Sequence, residues 1–307
     1  MSVTVLRTAD AWYVATPSGA AEIPTAATTT AELLGDRAAI AAAATETVPV
    51  ASLDLVSPVT APCRVVAQMT NFASHVTDAG MDPETVPLTF FRKASGSISG
   101  PFDDVVKPPH VTLLDYEVEI GLVIGREIPV GSEIAEECIA GLVVTNDVSA
   151  RDIQLPQTQF YEAKSYPTFT PAGPALVLLE ANELKRFADL RLRLSVNGTV
   201  RQNAVVGEDM IHRPLEALQA LTRFQRLDPG DLVLTGTPVG TALSAPPKVV
   251  EKIAALLPPA LKWKLFFKGQ AKNPKYLADG DVIEASVATD DGALDLGTQR
   301  TVVRYRR

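Results

Sequence analysis

The sequence predicts an α+β chain that is mostly β. Three observations predict it. Strand-like stretches follow one another without regular alternation with helices. Several alternate apolar and polar side chains, as in "LRLRLSV" at 190–196. Turn signals separate them, among them Asn197-Gly198, "LDPGD" and "LADGD".

Taken in order, residues 1 to about 60 read as a small accessory domain. "VTVLRTADAWYVATP" is a hairpin, and the Ala-rich "TAATTTAELLGDRAAIAAAATETV" is helical, with Thr side chains available as caps. Pro58 and Pro62 then break the pattern and set the boundary of a larger domain, 61–307. In that domain "CRVVAQM", "EVEIGLVIG" and "LVVTND" are strands. "GSEIAEECIAG" reads as a helix, with Ser132 as N-cap and Ile134, Cys138 and Leu142 on one side. "LRLRLSVNGTVRQ" is a hairpin, and "RPLEALQALTRF" is a helix with Pro214 in its first turn. Two turn-plus-strand units, "LDPGDLVLTG" and "LADGDVIEASV", close the domain. The Pro-rich, basic and partly helical stretch at about 241–276 reads as an insertion. There are no internal repeats.

At 307 residues, 46% hydrophobic and 21% charged, the chain is globular. A net charge of −8 argues against nucleic acid and anionic membrane surfaces as partners. An anionic substrate would need local cations or a metal. Cys63 and Cys138 fit no metal or redox spacing and read as buried thiols. The N-terminus has no signal-peptide pattern and no window suits a bilayer span, so a cytoplasmic protein is expected.

The chemistry begins in "LLDYEVEIGLVIGREIP", residues 113–129. Read as a strand, it sends Tyr116, Val118, Ile120, Leu122 and Ile124 to one face. Glu117 and Glu119 go to the other, roughly 7 Å apart. Such a pair is costly in a buried strand unless a cation lies between; the bland alternative is an edge strand with both facing solvent. Asp147 ends another strand. Three carboxylates without Cys and with few His suit a hard ion, Mg²⁺ or Mn²⁺, better than Zn²⁺.

In "MTNFASHVTDAGMDPETVP", His75 and Asp78 are one helical turn apart, the spacing of a carboxylate-supported base. Gly80, Pro83 and Pro87 make the segment a candidate lid. His110 and His212 read as structural. Lys93, Lys164, Arg151 and Gln154 are candidate polar contacts. Arg151 is placed to clamp a substrate carboxylate or to pair with Asp152. Thr235 and Thr237 flank a Gly turn whose N–H groups suit an anion.

In their order, "TNFASHVTD", "FFRKASGS", "DYEVEIGLVIG", "GLVVTNDVSARDIQ", "AKSYPTFTPAGP", "LTGTPVG" and "DGDVIEASV" resemble the fumarylacetoacetate hydrolase family. The likeness covers about residues 63 to 305, the insertion aside. It implies a mixed β-sandwich roll, a homodimer, and Mg²⁺, Mn²⁺ or Ca²⁺ in the site. It makes Glu117, Glu119 and Asp147 the metal ligands, and His75 a water-activating base with Asp78 as partner. Lys164, Arg151 and Gln154 match positions that hold oxygens of the substrate or the metal shell, and Lys93 and Thr237 lie near the same pocket. Two residues depart from the pattern: Asp78 stands where Glu is usual, one methylene shorter, and Phe72 where Tyr is frequent. The insertion at about 241–276 is expected at the pocket mouth or the dimer interface. The implied reaction is hydrolysis of a C–C bond in a 2,4-dioxo acid of acylpyruvate or fumarylpyruvate type. Oxaloacetate decarboxylation, or isomerisation or hydration of an oxo-acid, would use the same site. A non-catalytic metal-holding relative is the third possibility.

Overall fold

The computed structural model describes residues 2–157, 159–180, 182–243 and 256–306. Part of the predicted insertion, 244–255, lies outside the described residues. The strands in chain order are β1 (Val3–Arg7), β2 (Trp12–Thr16), β3 (Gly19–Glu22), β4 (Thr47–Val48), β5 (Val65–Met69), β6 (Thr89–Lys93), β7 (Ile98–Ser99), β8 (Val105–Lys107) and β9 (Leu114–Asp115). There follow β10 (Val118–Ile124), β11 (Ile139–Asn146), β12 (Ser149–Ala150), β13 (Thr170–Leu178), β14 (Leu190–Val196), β15 (Thr199–Val205), β16 (Leu232–Leu234), β17 (Val282–Thr289) and β18 (Asp295–Tyr305).

A large mixed sheet runs β4-β3-β2-β1-β13-β11-β10-β16-β5-β6, with β7 parallel on β13. A five-stranded sheet runs β15-β14-β17-β18-β8. The expected α+β, mostly β architecture is what the chain forms. The even-numbered residues of β10, Val118 to Ile124, join one core cluster with Leu192 and Leu194 of β14 and Val287 of β17. Val123 joins a second cluster on the other side, with Leu33, Leu34 and Ile40. The large sheet is therefore covered on one face by the small sheet and on the other by the helices Thr30–Gly35 and Arg37–Ala41. The first of these helices starts at a capping box: Glu32 donates its N–H to Thr29 Oγ1, and its carboxylate accepts from the Thr29 N–H.

Strand β10 lies between β11 and β16, so it is not an edge. Its pairing sets Glu119 opposite Thr145 and Gly121 opposite Val143. A Cβ at Gly121 would stand 2.7 Å from Val143 Cγ1 and 2.8 Å from Leu232 Cδ1, so this row narrows to glycine one step beyond the carboxylates. The hairpin at Asn197-Gly198 has φ of +50° and +75°, the primed turn its sequence predicts.

The helix predicted across 131–141 does not form. Glu136–Cys138 is one 3-10 turn, and β11 begins at Ile139. The spacing of Ile134, Cys138 and Leu142 imitates a helical stripe. The apolar run 139–144, however, pairs on both sides with β10 and β13, and two ladders outweigh one amphipathic pattern. Among the described residues no helix is long and apolar enough to cross a membrane. Both cysteines are free; Cys138 is buried and Cys63 half-buried. Burial pushes the Cys63 thiol up to about 12.

Candidate functional site

Strand β10 carries Glu117, just before it, and Glu119 into the interior, and β11 delivers Asp147 just past its end. These residues are 5%, 2% and 0% exposed, so the edge-strand reading fails. One ligand oxygen from each lies within 4.8 Å of the others. Lys164 is a cation among these acids, but between Glu117 and Asp147 rather than between the two glutamates: its Nζ lies 2.5 Å from Glu117 Oε2 and 2.7 Å from Asp147 Oδ2. Lys93 donates to Asp147 Oδ1 and, at 2.9 Å, to the Phe169 carbonyl.

Arg151 is committed inside the protein. Its Nε donates to Asp115 Oδ2 at 2.8 Å, one terminal nitrogen to Gln154 Oε1 at 2.7 Å, and the other to Glu117 Oε1. The expected free fork for a substrate carboxylate is thus already engaged. Asp152, the alternative partner, accepts from Thr112 N and Oγ1 instead. The acid that sequence reasoning missed is Asp115. It is fully buried and also accepts the N–H groups of Ala242 at 2.8 Å and Leu243 at 3.1 Å. Its signal was present in the D-x-E-x-E spacing of 115, 117 and 119.

Electrostatics divides the acids. Burial pushes Glu117 up, but Arg151 and Lys164 outweigh it and hold this carboxyl far below the usual range. Glu119 goes the other way. Burial, then the charges of Asp147 and Glu117, push its carboxyl well above the usual value. Among the described residues no ion pair reaches it, and its Oε2 accepts only the Gly236 N–H, at 2.7 Å. The anion bound by the predicted Thr-Gly-Thr turn is therefore Glu119 itself. Thr237 Oγ1 donates to Val118 O, and Thr235 Oγ1 to Ile120 O. Asn71, fully buried, braces the turn by donating to Thr235 O at 2.8 Å. Gly236 has φ of +85°, and a Cβ there would come 2.9 Å from Asn71 Cβ. Gly236→Ala is expected to cost about 1–3 kcal/mol, read as a lowered thermal midpoint, because a strained backbone would also lift the N–H from Glu119.

A hard divalent ion fits this donor set. All three ligands are carboxylate oxygens, and one of them is a buried carboxyl that, among the described residues, has no cation of its own. Glu117, Glu119 and Asp147 would hold it.

His75 lies on the helix Ala73–Asp78. Asp209 fixes the start of that helix, accepting the Ser74 N–H at 2.7 Å and its hydroxyl. Burial first, with Arg151 and Lys164 adding to it, pushes the imidazole below its ordinary value against the pull of Glu117 and Asp115. Its Nδ1 is buried without a hydrogen-bond partner. Asp78 is exposed, and among the described residues no hydrogen bond or ion pair joins it to His75. One helical turn brings the two residues near each other on the rim of one cavity, but only His75 is partly buried. His110 bonds Tyr166 and His212 bonds Glu216, each through a ring nitrogen.

These groups open into a cavity of about 920 Å³. His75, Asp78, Glu117, Glu119, Asp147, Arg151, Gln154, Lys164 and Thr237 all line it; Lys93 does not, and sits behind Asp147. The apolar walls come from Phe91 and Phe160, which sequence reasoning did not name, and from the helix Pro259–Gln270 of the insertion, which lines the cavity, one of its two expected places.

The family model described as "Fumarylacetoacetate (FAA) hydrolase C-terminal" matches residues 64–304. Mitochondrial oxaloacetate tautomerase FAHD2A of Bos taurus is 34% identical over 207 residues, 66% of this chain and 65% of that one. The matched region thus spans just under two thirds of that relative's length. The 2,4-didehydro-3-deoxy-L-rhamnonate hydrolase of Sphingomonas sp. (strain SKA58) is 34% identical over 274 residues, 86% of this chain and 83% of that one. A solved structure of a probable 2-hydroxyhepta-2,4-diene-1,7-dioate isomerase from Mycobacterium abscessus superimposes with a TM-score of 0.76 at 29% identity, covering 100% of both chains.

Proposed function

We propose, since this chain belongs to the fumarylacetoacetate hydrolase family, that it is a divalent-metal-dependent enzyme that moves a proton on a 2-oxo acid, interconverting keto and enol forms or shifting a double bond. The observation that carries this reading is His75: half-buried on the cavity wall beside the acids, pushed below its ordinary value, and among the described residues without a carboxylate hydrogen-bonded to it. A Mg²⁺ or Mn²⁺ ion held by Glu117, Glu119 and Asp147 would supply Lewis acidity, drawing charge from the substrate's oxygens and acidifying the carbon beside the keto group. His75 accepts that carbon's proton and returns it. An imidazole pushed below its ordinary value is neutral and open to a proton near neutral pH. Lys164 stays charged, because burial is outweighed by Asp147 and Glu117, and it keeps both carboxylates ionised. Phe91, 5.2 Å below the Lys164 ammonium, keeps water from that side. The relatives named for tautomerisation and isomerisation support this class.

A second reading is hydrolysis of a C–C bond in a 2,4-dioxo acid, with His75 taking the proton from water. It is favoured by the relative named as a hydrolase, which matches most of this chain. The test is a parallel assay with Mg²⁺ and Mn²⁺: enol absorbance of oxaloacetate, CO₂ release, and loss of diketone absorbance from acylpyruvates. On the preferred reading His75→Gln slows enol interconversion by about 10²-fold. Asp78→Asn slows it by less than about fivefold, the scale of an exposed charge. If acylpyruvate is consumed fastest and Asp78→Asn is as damaging as His75→Gln, the hydrolytic dyad is correct instead.

A further inference from the structure

We propose that the 2-oxo acid handled here carries a bulky, uncharged tail, aromatic or branched alkyl, seated under the helix Pro259–Gln270; this rests on the function proposed above and names its substrate class. The acids occupy one end of the cavity, and at about 920 Å³ the whole has the size of sites that enclose drug-sized ligands. An acid of four carbons would leave most of it unfilled.

The walls beyond the acids are aromatic. Phe91 begins directly beneath Lys164, and Phe160 meets it edge-on at 5.6 Å. Across the cavity stand Trp263 and Phe266, edge-on at 5.9 Å. The helix contributes Lys262, Trp263, Phe266, Gly269 and Gln270, a spacing of three and four that turns one face to the cavity. Both roots of this segment are tied down beside the acids. Asp115 holds the N–H groups of Ala242 and Leu243, and Asn273 Nδ2 donates to Ala242 O at 2.8 Å.

Charge points the same way. Arg151 and Lys164 spend their positive charge on Asp115, Glu117 and Asp147. Among the described lining residues that leaves Lys262, which is exposed and lies 5.1 Å from the Trp263 ring, while exposed Asp78 would repel a distal carboxylate. The Gln68 carboxamide lines the cavity, is 2% exposed and has an unpartnered Nε2. A neutral donor of this kind suits an uncharged oxygen on the tail.

The experiment is titration calorimetry on the full chain loaded with Mn²⁺, using pyruvate, oxaloacetate and phenylpyruvate. Phenylpyruvate is expected to bind about 10- to 100-fold tighter than pyruvate, the value of burying one aromatic ring, and oxaloacetate no tighter than pyruvate. In Trp263→Ala and in Phe266→Ala the phenylpyruvate-to-pyruvate ratio falls by about tenfold. The proposal is overturned if oxaloacetate binds tightest and Lys262→Ala removes that advantage, or if the ratio ignores both aromatic substitutions. Pyruvate binding without any tail preference overturns the tail assignment alone. Failure of all three acids to bind the loaded protein overturns the functional reading and the tail with it.

Discussion

Glu119→Gln is expected to lower metal-dependent turnover at least about 10³-fold, the rate equivalent of roughly 4 kcal/mol of lost Lewis-acid stabilisation. The same substitution is expected to stabilise the metal-free protein. Glu119 is buried beside Asp147 and Glu117, and its only bonded neighbour among the described residues is the Gly236 N–H. Its folded-state value is raised above that of the unfolded chain. Its contribution to stability is therefore fully present below the unfolded value, about 4.3, and is lost as pH rises through the folded value. Glutamine does not titrate. In EDTA the mutant should match wild type below about pH 4 and exceed it by at least about 1 kcal/mol near pH 8, since a tenfold difference in proton affinity between folded and unfolded chains is worth that much. Saturating Mn²⁺ should reverse the order, because it stabilises only the chain that binds it. Denaturant melts at several pH values, with and without metal, check both signs. A mutant less stable than wild type throughout would remove the metal from its place among these acids.

Arg151→Met should behave in the opposite manner. Its guanidinium bonds Asp115, Glu117 and Gln154 at once, and all four side chains are buried. Removing it leaves buried Asp115 with backbone N–H groups but, among the described residues, no cation, and Glu117 with Lys164 alone, a loss of about 3–5 kcal/mol. In a chain of this size the thermal midpoint should fall by roughly 5–8 °C. An arginine that clamped substrate instead would leave the melt in place and raise KM alone. Thermal denaturation beside steady-state kinetics therefore decides between the two roles.

What was legible in the sequence was alternation and type. Glu117 and Glu119 announced their shared face because β10 keeps a strict period of two, and Asn197-Gly198 announced its turn because few residue pairs accept two positive φ values. Asp147 was legible as an acid leaving an apolar strand. Partnership was not. Whether Arg151 meets a ligand, Asp152 or Asp115 depends on β9, β12 and the helix Arg151–Gln154 docking together, which no local pattern encodes. His75 and Asp78 fell to the same limit: spacing places them one turn apart, but only packing decides whether they bond. The insertion reads as partly helical, but nothing local says which face of Pro259–Gln270 carries its aromatics to the cavity. The false helix at 131–141 shows periodicity overruled by two flanking strands.

The pairing of β1 with β13 has a consequence for how such a chain can be cut or fused. Val3, Thr4 and Val5 sit against Leu178, Val177 and Leu176, and β13 is one of the longest strands in the molecule. A fragment limited to the family-matching span would present that strand's outer rim as a bare row of amide and carbonyl groups, next to apolar surface stripped of Leu33 and Leu34. Such a rim recruits whatever extended chain it meets. The first sixty residues thus act as a built-in guard against self-association, whatever else they contribute.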